Sequence, residues 1–336
     1  MVVKKDWGLV LAGGGGKGAY EIGVWKALLE REDLHISAVS GTSVGALNAA
    51  LFATGDFELA QAIWGNQINE EVILTPKHLK TQEFAELLET VLKESEEWIL
   101  DLPELPKMKE LSGYLLKALF GKQSVLHKLE TVLEQPLATS VFWLIHQMAR
   151  RGVFTREGLI QIIRQNRILT RVKNSMIPCY AACYNIMGRS AEYFQLQQYT
   201  EEQMLELLLA SSALPFIFPP VDINGQKYWD GGLKDNVPIS PLYDLGYRKL
   251  LVVHLDQQDN NVFYDTAPVF QKQICTLANG NRERYCDTVL VHFYPPKSLS
   301  GFCGTLDFNP KIIRRKMEQG YSETKKRLER VNDIVG

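Results

Sequence analysis

Within its first 55 residues the chain lays down two strand–loop–helix units back to back. Trp7-Gly-Leu-Val-Leu-Ala12 is an apolar run of strand length that stops at Gly13-Gly-Gly-Gly16, Lys17 and Gly18. Beyond the glycines, Ile22, Val24, Trp25, Leu28 and Leu29 recur at helical spacing. The second unit has a strand-like Ile36-Ser-Ala-Val-Ser40, a tight turn at Gly41-Thr-Ser-Val-Gly45, and an Ala- and Leu-rich helix over 44–54. Two such units in tandem predict an α/β fold: a mostly parallel central sheet flanked by helices, because a parallel pair needs a crossover between its strands. With 336 residues, 46% of them hydrophobic and 23% charged, the chain can surround such a sheet with a large core.

Downstream, the pattern changes. Residues 57–170 read as a run of amphipathic helices inserted between sheet elements. Apolar residues repeat at three-and-four spacing in Phe84–Leu92, Met108–Phe120 and Val125–Leu133, with Pro103, Pro106, Gly113, Gly121 and Pro136 between the patches. Strand-like segments return at 177–184 and 191–195, followed by a helix over 201–209. Further strands are expected at 249–255 and 288–294, and a basic amphipathic helix in the tail, 300–336. With no internal repeat or low-complexity linker, the chain reads as a single domain, 1–336, carrying the 57–170 insertion.

A net charge of -2 leaves no basic excess to neutralise phosphates, so no nucleic-acid partner is expected. Five cysteines at irregular spacing, without a C-x-x-C, argue against a disulfide framework or structural zinc and for a reducing, cytoplasmic compartment. No cluster has metal-ligand spacing, so neither metal nor cofactor is expected. The stretch before the first apolar run is too short and too charged for a signal peptide, and no apolar stretch has the length of a spanning helix.

Three motifs carry chemistry. Gly41-Thr-Ser43-Val-Gly45, after a strand and before a helix, has the G-x-S-x-G pattern of a nucleophile elbow. The flanking Gly41 and Gly45 leave room for a sharp turn, and the helix N-terminus faces the serine. The plainer reading is a βα turn in which Ser43 caps the helix. The glycine loop contains G-x-G-x-x-G at Gly13, Gly15 and Gly18, but Asp33 comes too early for the acidic residue of a dinucleotide site, and the Ser43 turn occupies its place. It resembles a phosphate-binding loop, yet Lys17 is followed by Gly18 rather than Ser or Thr. A third reading is an oxyanion hole built from glycine-freed amides. Asp230-Gly231-Gly232, after Lys227-Tyr-Trp229, reads as a turn, or as a carboxylate at a strand end placed to take a serine's proton.

In this order the three motifs resemble the patatin-like phospholipase family, with its G-G-G-x-R/K-G loop, G-x-S-x-G elbow and D-G-G or D-G-A segment. Gly14, Gly15, Gly16, Lys17 and Gly18 match the loop, Gly41, Ser43 and Gly45 the elbow, and Asp230, Gly231 and Gly232 the third motif. Ala210-Ser-Ser-Ala-Leu-Pro215 looks like the family's A-S-x-A-x-P segment, and Asn236 and Pro238 like its extension past the aspartate. The resemblance covers about residues 6–55 and 175–255. It implies a three-layer α/β/α fold and a Ser43–Asp230 dyad without histidine, with an oxyanion loop at Gly14–Gly18. It also implies hydrolysis of phospholipids or other lipid esters.

A Ser-Asp-His triad, with His254 or His292 as base, satisfies the chain order of an α/β-hydrolase; only one strand–helix unit precedes Ser43, fewer than that fold usually has. A non-catalytic nucleotide sensor of the same fold is the remaining alternative. The 84–133 helices, with Lys107, Lys109, Lys117, Lys122 and Lys128 beside Leu115, Leu116, Leu119 and Phe120, read either as a lid in peripheral contact with a membrane or as faces packed on the sheet. The cationic residues of the tail, Arg314, Arg315, Lys316, Lys325, Lys326 and Arg327, read as a solvated face, with a partner or membrane surface as the second reading.

Overall fold

The computed structural model describes residues 6–75, 154–215, 217–257, 288–299 and 305–335. The chain divides into two compact units: residues 1–75, 155–214 and 220–336, and residues 76–154 with 215–219. Of the second unit, Phe154, Pro215 and 217–219 are described, and the Phe154 amide donates to the Ile217 carbonyl. Most of the expected 57–170 insertion, including every patch proposed as a lid, lies outside the described residues.

The first unit is built on an eight-stranded sheet: β1 (Trp7–Leu11), β2 (Ile36–Thr42), β3 (Cys179–Asn185), β4 (Ser190–Gln195), β5 (Val221–Ile223), β6 (Gln226–Asp230), β7 (Lys249–Val253) and β8 (Val289–Phe293). Strand order is β5-β6-β3-β2-β1-β7-β8, with β4 paired to β3 off this path. The centre, β3-β2-β1-β7-β8, is parallel; β4, β5 and β6 add an antiparallel edge. The parallel strands are buried on both faces, as helix-covered strands must be. Leu9, Leu11, Val39, Leu251 and Val253 join the larger core, and Val10, Ala38, Leu250 and Val252 the smaller one on the opposite side.

Against the larger core pack α1 (Ala19–Leu29), α2 (Val44–Ala53), α3 (Phe57–Ala62), and a helical stretch after a π-turn, α4 (Glu70–Ile73). With them lie α5 (Glu157–Gln165), α6 (Ile168–Lys173), α7 (Glu201–Ser211) and the long α9 (Pro310–Val335). The short α8 (Ser240–Asp244) supplies Leu242 to the other side. The result is a three-layer α/β/α fold.

The tail helix is not a purely solvated cationic face. Ile313, Lys316, Gly320, Thr324 and Leu328 are buried, a stripe at spacings of three and four. Lys316 is therefore inside, only 2% exposed, while Arg314, Arg315, Lys325 and Lys326 stay outside. Small residues set the approach of this helix to α1. A Cβ on Gly320 would run into the Tyr20 carbonyl, and one on Gly23 into the Met317 carbonyl, so the two backbones touch.

Candidate active site

The sheet register brings two strand ends together. One edge of β3 is covered by β4 along 180–185, so β2 and β6 share the other edge. Parallel β2 pairs with the first half of β3 and stops at Thr42 opposite Ala182; antiparallel β6 pairs with the second half and stops at Asp230 opposite Cys183. The two strands thus run toward each other along one edge, and Ser43 and Asp230 emerge where they meet. The Asp230 carboxylate accepts a hydrogen bond from the Gly232 amide at 2.8 Å, and Ser43 stands near enough to lower its pKa.

Ser43 occupies φ 56°, ψ -125°, a conformation that side chains rarely adopt. Such a residue stores about 1–3 kcal/mol of strain and needs surroundings that hold it. Here the Ser43 amide donates to Ser211 Oγ at 3.0 Å, and Ser211 Oγ donates in turn to the Ala182 carbonyl at 2.7 Å. The elbow glycines are required by close approach. A Cβ at Gly41 would strike the Gly45 carbonyl, and one at Gly45 the carbonyls of Leu11 and Ala12. Gly231 is pressed in the same way against the Ala182 carbonyl, whereas Gly232 stands beside Asn236 and Asp230.

Burial shapes the acid. Asp230 is 3% exposed, and desolvation pushes its carboxyl from 3.8 up to about 6, against the lowering effect of Ser43 and of its bond to Gly232. The mismatch between an ordinary aspartate and a base for neutral pH is thereby largely removed. Cys183, paired with Asp230 across the strands, is a buried thiol raised by its own desolvation first and by the Asp230 charge second.

The glycine loop reaches the same point from β1. A 3-10 turn, Gly15–Gly18, leads into α1, with Gly15 at φ 55°. The Gly13 amide donates to the Asn236 carbonyl at 3.1 Å, and the Lys17 amide to the Gly14 carbonyl at 3.1 Å. A Cβ on Gly13 would stand 3.2 Å from Ser43 Cβ, so the loop begins against the serine. The amides of Gly14, Gly15 and Gly16 open this helical start, where N–H groups lack intrahelical partners. Lys17 turns its ammonium to Asp256 at 2.5 Å, and Gly18 packs on Val44 with its carbonyl accepting from Asn48 Nδ2 at 3.0 Å.

The segment after Asp230 is sewn back onto the sheet. Thr42 Oγ1 donates to the Asp235 carbonyl at 2.9 Å, Ser40 Oγ to the Pro238 carbonyl at 2.6 Å, and Asn236 Nδ2 to the Gly13 carbonyl at 3.2 Å. The Asp235 side chain accepts from the Tyr193 hydroxyl at 2.5 Å and is itself pushed up to about 6, chiefly by burial. Asn48 ties the loop helix to the elbow helix. Its Nδ2 also donates to Glu21 Oε2 at 2.7 Å, and its Oδ1 accepts from Trp64 Nε1 at 2.8 Å. Burial raises Glu21 well above the usual carboxylate range. Ser211 and Asp235 stand inside segments the sequence singles out, but their bonding to the elbow does not follow from pattern. Asn48, Glu21 and Lys316 carry no motif signal.

The two histidines are arranged differently from a triad base. His254 follows β7, whereas His292 lies within β8 rather than at its end. His254 Nε2 and His292 Nδ1 share a 2.8 Å hydrogen bond, and His254 stacks on Tyr294. Desolvation depresses both, His292 to about 4.

A family model described as patatin-like phospholipase matches residues 9–243. Lysophospholipase nte1 of Aspergillus terreus is 23% identical over 254 residues, covering 76% of this chain and 12% of that protein. Lysophospholipase NTE1 of Cryptococcus neoformans is 23% identical over 261 residues, covering 78% and 12%. The chain therefore matches about 12% of the length of these relatives. The crystal structure of VipD from Legionella pneumophila aligns with a TM-score of 0.45 and 16% identity, over 97% of this chain and 67% of that one.

Proposed function

The chain belongs to the patatin-like phospholipase family, and from that premise we propose that it is a lipid acyl hydrolase whose nucleophile is Ser43 and whose base is Asp230. The observation that carries the reading is the meeting of β2 and β6 on one edge of β3, which brings the strained Ser43 and the buried Asp230 together at one point. In the first half-reaction Ser43 Oγ attacks the ester carbonyl and its proton passes to Asp230. The amides of Gly14, Gly15 and Gly16 hold the oxyanion as it forms, with Lys17 and Gly18 shaping the loop behind them. Collapse expels the alcohol, which takes the proton from Asp230 and leaves an acyl-Ser43 ester. Water then attacks this ester, gives a proton to Asp230, and the fatty acid leaves as Ser43 is reprotonated.

Phospholipids and lysophospholipids are the substrate class that fits the family and the relatives' names. Reaching them implies peripheral contact with a lipid surface; no described helix is long and apolar enough to cross a membrane. The triad alternative has no support in the site, because His254 and His292 are bonded to each other and depressed by burial. The nucleotide-sensor alternative leaves the strained Ser43 and the buried Asp230 beside it without a purpose.

The deciding experiment measures fatty acid released from mixed phospholipid and lysophospholipid micelles by the wild type and Ser43→Ala, alongside fluorophosphonate labelling at Ser43. Labelling of the wild type and a loss of at least about 10³-fold in the variant are expected. Undiminished release by Ser43→Ala would overturn the assignment.

A further inference from the structure

The tail of the chain, beyond the residues matched by the family model, closes on the back of the glycine loop. Thr305 lies so near Gly15 that any Cβ there would run into the Thr305 carbonyl. Nearly two turns into α9, Lys316 reaches inward along the buried stripe, and its Nζ donates to the Gly16 carbonyl at 3.2 Å. Further along, the Gly320 and Gly23 contacts clamp α9 to α1, the helix the loop begins. A lysine buried to 2% exposure is costly, and a charged donor on a loop carbonyl is a specific way of using it.

We infer that Lys316 is a positioning residue for the oxyanion loop: its ammonium fixes the Gly16 carbonyl and adds positive charge beneath the amides that receive the developing alkoxide. This rests on the reading of Ser43 as nucleophile. The peptide unit joining Gly16 to Lys17 is held from both sides, by Lys316 at the carbonyl and by the Gly14 carbonyl at the Lys17 amide. That leaves little freedom for the loop to turn its amides away from Ser43, and preorganised donors are what make such a site effective. Among the described residues, charged groups that face the ammonium include Lys17, paired with Asp256 at the loop, Asp307 ahead of α9 and Arg315 on α9 itself. On α1 the packed face brings Tyr20, bonded to Glu323 of α9. Burial, more than the opposing charge of Asp307, lowers Lys316 to about 8, so its charge is lost within the range of an ordinary rate profile.

The test compares the wild type, Lys316→Met and Lys316→Arg in hydrolysis of a soluble short-chain ester from pH 7 to 10, with melting curves to verify folding. Lys316→Met should lower kcat about tenfold at pH 7 with KM within about twofold. Its residual rate should show no fall near pH 8, whereas the wild type falls there and Lys316→Arg moves the fall upward. A kcat for Lys316→Met within about twofold of wild type, or the same alkaline fall in all three proteins, would overturn the inference. A second readout needs no catalysis: the amide resonances of Gly15, Gly16 and Lys17 should follow a titration near pH 8 in the wild type that is absent from Lys316→Met. Loop amides blind to that titration would overturn it equally. A wild type that neither hydrolyses ester nor labels at Ser43 would defeat the catalytic reading, and the amide titration would still decide the Lys316 contact.

Discussion

Two residues at the site carry properties that make them separable by measurement. Ser43 holds φ 56°, a conformation that costs any residue with a Cβ. Ser43→Ala and Ser43→Gly both remove the hydroxyl, so both should be inactive. Only glycine relieves the backbone, and in urea denaturation Ser43→Gly should exceed Ser43→Ala by about 1 kcal/mol. Equal stabilities would mean the elbow is unstrained. Asp230 must be ionised to take a proton, and burial holds its carboxyl at about 6. Hydrolysis should therefore rise with pH through about 6 to a plateau that ends at the alkaline fall near 8, in kcat/KM against a soluble ester. Asp235 titrates in the same range, so the assignment needs Asp235→Asn, which should keep the rise. Loss of the rise in that variant would move the controlling proton to Asp235.

At the level of elements, α1 and α9 approach to backbone contact, made possible by Gly23 and Gly320. Gly320→Ala should cost about 1–3 kcal/mol, because its methyl group meets a backbone carbonyl that cannot yield like a side chain. Gly65→Ala, where nothing lies within 4 Å of the added carbon, should be neutral or slightly stabilising in the same thermal denaturation series. Equal effects at the two positions would mean that the helices do not meet as described. The elements legible from sequence were those with a strong local period. The first two strand–loop–helix units, β3, β4 and α7 stand within a few residues of their expected bounds, whereas the tail helix begins only at Pro310. The meeting of β2 and β6 on one edge of β3 was not legible. Lys227-Tyr-Trp229 signals a strand before Asp230, but its antiparallel direction and its register on Cys183 are set by partners some 45 residues away in the chain. Lys316 was hidden for a different reason. Its stripe of Ile313, Lys316, Gly320, Thr324 and Leu328 mixes apolar, small, polar and charged residues, so the amphipathic pattern alone does not place Lys316 on the buried side.

Across the whole molecule, buried ionisable groups of opposite sense balance one another. A carboxyl whose folded pKa is raised binds its proton more tightly folded than unfolded, so its contribution is complete below about 3.8 and is lost as pH climbs through about 6. Asp230 and Asp235 thus weaken the fold at neutral pH, and Glu21 acts in the same direction. The His254–His292 pair works the other way. Its neutral, buried rings contribute fully above about 6.5 and lose that contribution as pH falls toward about 4 for His292. Between about pH 4 and 6.5 the two sets oppose each other, so wild-type stability should change little there. Asp230→Asn breaks the balance while preserving an acceptor for the Gly232 amide. At pH 7.5 it should be more stable than the wild type by about 2 kcal/mol, since no buried carboxylate has to ionise. That margin should shrink on acidification and vanish near pH 4, where the wild-type carboxyl is protonated in both states. Urea titrations of the two proteins at pH 7.5, 6 and 4.5 measure it directly. A margin that does not depend on pH would mean that the acid proposed as the base is not desolvated as the fold places it, and that a carboxylate of ordinary basicity serves Ser43.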